Sequence, residues 1–185
     1  MLGDSLTAGY GLPGKDALPV RLEAELIRLG HPVAVTNAGV SGDTTADGLR
    51  RLNRDVAGDT QLCIVALGAN DMMTKVLPER VQVNLETILS RLADRSIPAI
   101  LCGIRAPPCL GAYAARFDAV FKRVATDQKV AFLPFLLEGV ALHPNYTLAD
   151  RIHPNAQGIR IVAGRLAPHV ATALEALVHR PELPA

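Results

Sequence analysis

Two uninterrupted apolar runs constrain this chain more than anything else in it: Leu62-Cys63-Ile64-Val65-Ala66-Leu67, and residues 99–104. A strand open to water on one side alternates apolar and polar side chains. A run without polar breaks therefore matches a strand covered on both faces. Helical patterns alternate with these strands. Leu18, Leu22, Leu26 and Leu29 recur at helical spacing after Asp16, a residue suited to cap that helix, and Gly30 and Pro32 end it. Residues 33–35 read as a short strand, 37–43 as a loop of small residues and 45–52 as a modest helix. Pro78 suits the first turn of a helix carrying Val81, Leu85, Ile88, Leu89 and Leu92. A helix over 112–127 leads to a strand at 130–133. The last helix, 154–178, turns Ile159, Val162, Leu166, Val170, Leu174 and Leu177 inward, with Pro168 predicting a kink or break near Ala167. This alternation predicts an α/β fold with a mainly parallel sheet, one domain over residues 1–179 and a tail at 180–185. Only Met1 and Leu2 precede Gly3, so the first strand is expected to be a stub, or the numbering begins inside it.

A domain of 185 residues buries roughly 70% of its unfolded surface, enough for a core without disulfides or metal. The formal charge of +1 offers no field to attract nucleic acid or an anionic membrane. Arg50 and Arg51 sit side by side, and the pair reads as a solvated helix face rather than a binding patch. Cys63 and Cys102 lie in apolar runs and read as small buried hydrophobes. Cys109 follows Pro107-Pro108 in a loop and could reach Cys102. No apolar run approaches the ~18 residues of a membrane span, and the sequence does not indicate an oligomeric state.

In open α/β sheets, ligands bind beyond the carboxyl ends of the strands. Four polar clusters fall there: Gly3-Asp4-Ser5, the segment around Gly39, Gly68-Ala69-Asn70-Asp71, and Asp150-Arg151-Ile152-His153. The chain has only four serines, and Ser5 alone follows a strand and opens a helix-like segment. Its hydroxyl there would sit among unpaired N–H groups that favour developing negative charge, although serine in that position also serves as a plain cap. The G-x-S-x-G elbow is absent, because Thr7 stands where its second glycine belongs.

A serine nucleophile needs a base, and of five histidines only His153 has a carboxylate three residues before it, Asp150. One turn of separation lets that carboxylate accept the Nδ1 proton, fix the tautomer and stabilise the imidazolium. His31, His143, His169 and His179 read as loop or helix surface. The oxyanion needs aimed donors: the Ser5 N–H, the Gly39 N–H, and the Asn70 amide. Gly39 also fits a plain turn, and Asn70-Asp71 a cap.

Taken together, Gly3-Asp4-Ser5-Leu6, Gly39, Gly68-x-Asn70-Asp71 and Asp150-x-x-His153 resemble the four blocks of the SGNH (GDSL-type) hydrolases, in that family's order. The segments 6–11 and 37–44 look like its bacterial arylesterase, lysophospholipase and acyl-CoA thioesterase branch. The resemblance implies a flavodoxin-like three-layer α/β/α fold with helices on both faces of the sheet. It also implies Ser5 as nucleophile, Asp150 and His153 as triad partners, and Ser5, Gly39 and Asn70 as the oxyanion hole. Ala69 stands where relatives often carry a second glycine.

The expected reaction is hydrolysis of short- to medium-chain carboxyl esters, aryl esters included, through an acyl-enzyme without metal or organic cofactor. Met72, Met73, Val76 and Leu77 after one strand, and Ala106, Pro107, Pro108, Leu110 and Tyr113 after the next, are the candidate walls of an apolar acyl groove. They equally fit ordinary packing against the rim. Thioester or lysophospholipid hydrolysis and carbohydrate deacetylation use the same triad and stay open. A metal-dependent hydrolase built on Asp4, Asp71, Asp150 and His153 is disfavoured because the carboxylates come singly. A non-catalytic binding protein would have no use for all four blocks. No secretory leader precedes Gly3, which points to the cytoplasm, whereas the resemblance implies a periplasmic or secreted protein whose leader has been lost.

Overall fold

The computed structural model describes residues 1–178; His179 and the tail expected at 180–185 lie outside the described residues. Five parallel strands form one sheet: β1 (Leu2–Gly3), β2 (Ala38–Gly39), β3 (Cys63–Ala66), β4 (Ala99–Cys102) and β5 (Ala131–Leu133), in spatial order β2-β1-β3-β4-β5. Among the described residues seven α-helices accompany them: α1 (Ser5–Ala8), α2 (Leu18–Arg28), α3 (Thr45–Asp55), α4 (Ala69–Met73), α5 (Pro78–Asp94), α6 (Ala112–Asp127) and α7 (Ala156–Val178). α2 packs on α7, while α3, α5 and α6 pack in sequence as a second layer, so the sheet is flanked by helices in a three-layer α/β/α arrangement. β3 and β4 are buried throughout, as their unbroken apolar sequences require. One continuous core runs from Leu2 to Ala171. Among the described residues no helix is long and apolar enough to cross a membrane.

This strand order reverses direction between β1 and β3. That switch point opens a crevice at the carboxyl edge, where an open α/β sheet receives ligands. The first strand is indeed two residues long, and it occupies a central position. The Met1 ammonium donates to the Thr36 carbonyl at 2.7 Å.

The structure departs from the sequence expectations in the strand at 33–35, the cap of α2 and the course of α7. Residues 33–35 are not a strand: the Val35 N–H is taken by the Glu23 carboxylate, and pairing with Leu2 and Gly3 starts at Ala38. α2 is capped by Ala17, without a side-chain bond, because the Asp16 carboxylate is drawn to Arg21. α7 begins at Ala156 and runs unbroken through Pro168, whose ring removes only the donor that Gly164 would have received. All three cysteines are free. Cys102 is sealed within β4, its thiol pushed up to about 12 by burial, and Cys109 is exposed.

Candidate active site

The turn after β1 is built by Asp4. Its carboxylate accepts the Leu6 N–H at 2.9 Å, and its carbonyl accepts the N–H groups of Thr7 and Ala8, which winds α1 with Ser5 as first residue. Asp4, not Ser5, is therefore the cap. Only glycine fits at position 3, because a Cβ there would lie 2.0 Å from Thr7 Oγ1 and 2.9 Å from the Ala66 carbonyl. Asp4 is fully buried, and its Oδ2 meets no hydrogen-bond partner. Burial raises its pKa to about 6, against the pull of the Leu6 N–H.

The segment before α7 brings the imidazole. His153 Nε2 stands 2.9 Å from Ser5 Oγ, and His153 Nδ1 stands 2.6 Å from Asp150 Oδ2. The other Asp150 oxygen accepts the backbone N–H of Ile152 at 2.9 Å and of His153 at 3.0 Å. The hydrogen bond from His153, followed by those two N–H groups, holds the Asp150 carboxyl at about 2. Arg151 takes the left-handed conformation, φ 60°, that folds this short turn back on itself. The Tyr10 ring covers the imidazole at 4.4 Å between centroids. The loop is pinned where Thr147 pairs with Pro154 and where Asn155 donates to the Asn145 carbonyl at 2.9 Å. Ser5, Asp150 and His153 are thus brought together, the last two as their spacing predicts.

As the first residue of α1, Ser5 has an N–H with no acceptor inside the helix. Asn70 lies on α4, and its amide nitrogen donates to the Asp43 carbonyl at 2.9 Å, which leaves a second amide hydrogen uncommitted. Below it, both oxygens of the buried Asp71 are held by Thr45, N–H at 2.8 Å and hydroxyl at 2.7 Å, and Asn84 donates to that hydroxyl at 2.9 Å. Burial raises the Asp71 pKa.

Gly39 has a different place from the one expected of it. It pairs with Gly3 in β2, and its N–H donates to the Asn37 side chain at 2.9 Å. A Cβ at position 39 would lie 2.3 Å from the Ala8 nitrogen, so close packing of β2 on α1 accounts for this glycine.

Arg51 is the residue that sequence reasoning missed. Far from forming a solvated face with Arg50, it is 7% exposed. It donates to the carbonyls of Gly3 and Ala38, each at 2.8 Å, and to the carboxylates of Asp43 at 2.5 Å and Asp55 at 3.0 Å. One guanidinium therefore ties the strand end that carries Ser5 to the loop whose Asp43 carbonyl receives Asn70. The signal was faint: Asp43, Asp55 and Arg51 fall eight and four residues apart, a spacing common on any helix. Arg50 does face solvent, paired with Asp47.

A cavity of about 860 Å³ opens at the switch point, and Ser5, Asn70 and His153 line it. Met72, Met73, Ala106, Pro107 and Pro108 form part of its wall as expected, but Val76, Leu77, Leu110 and Tyr113 do not. The Tyr113 hydroxyl instead donates to the Val76 carbonyl at 2.9 Å, bracing the α4–α5 turn, and Leu77 is exposed where it caps α5. The remaining apolar wall comes from Ile104, Phe132, Phe135, Leu137, Ala141, Leu142 and Ile152. The four groups weighed as metal ligands are each otherwise engaged: Asp4 by Leu6, Asp71 by Thr45, Asp150 and His153 by each other. Among the described residues no three His, Cys, Asp or Glu side chains are grouped as ion ligands.

Residues 1–161 match the model of the GDSL-like Lipase/Acylhydrolase family. The chain is 34% identical over 176 residues to an arylesterase of Vibrio mimicus, covering 92% of this chain and 88% of that protein. It is 32% identical over 169 residues to "Thioesterase 1/protease 1/lysophospholipase L1" of Escherichia coli K12, covering 90% of this chain and 80% of that protein. Among solved structures it resembles AlinE4, an SGNH-hydrolase family esterase, at 42% identity and a TM-score of 0.78, over 94% of each chain.

Proposed function

Since this chain belongs to the GDSL-like lipase/acylhydrolase family and is a carboxylic ester hydrolase, we propose that it cleaves esters by double displacement on Ser5. The Ser5 oxygen attacks the ester carbonyl carbon while its proton passes to His153 Nε2. Asp150 keeps the imidazole in the productive tautomer and stabilises the imidazolium. Collapse of the tetrahedral adduct breaks the bond to the alkoxy oxygen, which leaves with the proton from Nε2. Water then gives a proton to Nε2, attacks the acyl-enzyme and releases the acid, and the proton returns to Ser5.

The adduct's negative oxygen is met in this reading by the Ser5 N–H and the uncommitted amide hydrogen of Asn70. With the Gly39 N–H engaged by Asn37, we assign the third donor to Gly42. That residue holds φ 89° and immediately precedes the Asp43 carbonyl to which Asn70 is bonded.

What carries the proposal is the relay from Ser5 Oγ through His153 to Asp150, with contacts of 2.9 and 2.6 Å beside an apolar cavity. The test is hydrolysis of p-nitrophenyl esters from acetate to decanoate by wild type and Ser5→Ala. Wild type is expected to favour the short to medium chains, and the variant to lose at least 10³-fold in kcat. A fluorophosphonate probe is expected to label only the wild type. An alanine variant that retains turnover overturns the assignment. The same displacement cleaves thioesters, an activity named for the Escherichia coli relative, and octanoyl thioesters belong in the same series.

A further inference from the structure

The cavity that begins at Ser5 ends in charge rather than in apolar surface. Its wall follows the carboxyl edge of the sheet: Ser5 comes after β1, Asn70 after β3, Arg105 after β4 and Phe135 after β5. At about 4.8 Å per strand, the β4–β5 end lies roughly 10–14 Å from the β1 end. Two cations stand at that far end, Arg105 and Lys122. The Arg105 guanidinium lies over the Phe135 ring, 5.4 Å from its centroid, so an aromatic face holds it rather than a carboxylate. Lys122 is one turn beyond Asp118 on α6, and Asp118 accepts the Ala106 N–H at 2.8 Å.

Among the described residues, no ion pair involves Arg105, Lys122 or Asp118. Two cations against one carboxylate leave this end net positive. Arg151, a third cation outside every ion pair among the described residues, lines the cavity beside His153. Unpaired cations in a concave site with apolar walls concentrate anions, and a guanidinium offers a fork that matches a carboxylate or phosphate.

We propose that this site prefers esters carrying an anionic group about 10–14 Å from the scissile carbonyl, received by Arg105 and Lys122. The inference rests on the ester-cleaving role of Ser5 proposed above and adds the substrate's charge and length to it. The anion can belong to the acyl chain, as an ω-carboxylate, or to the alcohol.

Two matched pairs separate these sources: the p-nitrophenyl monoester of decanedioic acid against its methyl-capped form, and the hexanoyl ester of 8-hydroxyoctanoate against its methyl ester. In one pair the anionic member is expected to show a kcat/KM about tenfold above its capped twin at low salt, the size of one charge-assisted hydrogen bond. That preference should shrink at 0.5 M salt, where the Debye length falls to about 4 Å. Arg105→Gln and Lys122→Gln should each lower the ratio, and the double variant should abolish it. Preference in the first pair assigns the anion to the acyl chain, preference in the second to the alcohol. Equal rates within both pairs overturn the inference, as does a ratio unchanged by salt and by the double variant. Failure to cleave any ester, capped or neutral, overturns the role of Ser5 instead.

Discussion

Arg51 Nη2 donates to the Gly3 carbonyl at 2.8 Å, two residues before the serine that the imidazole meets. The same side chain holds Ala38 and Asp43, so the nucleophile turn and the loop beside Asn70 share one anchor. Arg51→Ala leaves the half-buried Asp43 carboxylate without its guanidinium and frees the Gly3 and Ala38 carbonyls, while Asp55 keeps Arg54; it is expected to cost about 3 kcal/mol of stability, the low end for breaking a buried pair. Arg51→Lys keeps the charge but lacks the fork that spans several acceptors. It should fold and lose kcat about tenfold with little change in KM, which steady-state kinetics on a p-nitrophenyl ester will show.

Asp150 accepts three hydrogen bonds, and the one from His153 Nδ1 sets the ring's tautomer. Asp150→Asn should reduce kcat by about 10³–10⁴, while circular dichroism reports an unchanged fold. Because this carboxyl is held at about 2, a fall in wild-type activity between pH 7 and 4 reports another group.

Asp4 predicts an unusual pH dependence of stability. Its folded pKa, raised to about 6 by burial, exceeds the ordinary carboxylate value, so the folded state binds more protons than the unfolded state between about pH 4 and 6. Its contribution to stability therefore falls as pH rises through that window and stays flat above it, a loss of roughly 3 kcal/mol at 1.36 kcal/mol per pKa unit. Asp4→Asn, which can still accept the Leu6 N–H, should remove that decline. Urea denaturation of both proteins at pH 4.5 and 7 measures the difference.

Asn70→Ala tests the oxyanion assignment. The turn beneath it is held by Asp71 and Thr45 and should survive the change. Turnover is expected to drop about 10²–10³-fold with KM nearly unchanged, the pattern of a donor used mainly in the transition state.

Much of this was legible in the residues, for physical reasons that also mark the limits. α6 begins and ends where its periodicity predicts, and α5 keeps its predicted start at Pro78, because a long amphipathic helix carries its own signal. β2 was misplaced because a two-residue strand is defined by its neighbour: Leu2 and Gly3 select Ala38 and Gly39, and nothing local to Val33 or Val35 reveals that choice. Arg51 was misjudged because the acceptors that bury it come from positions 3, 38, 43 and 55. The juxtaposition of Ser5, His153 and Asp150 was legible because nucleophile chemistry limits the candidates to very few. The groove was read only in part, since Leu137, Ala141, Leu142 and Ile152 sit in irregular backbone with no period to betray which way they face.

The hydroxyl and the imidazole are separated by 148 positions, and the loop that presents the imidazole is fastened to the start of α7. Synthesis delivers the amino end first. On the mechanism proposed above, a nascent chain that has not yet reached the 150–153 loop carries at Ser5 an alcohol with no base beside it, and its activation waits on residues made much later.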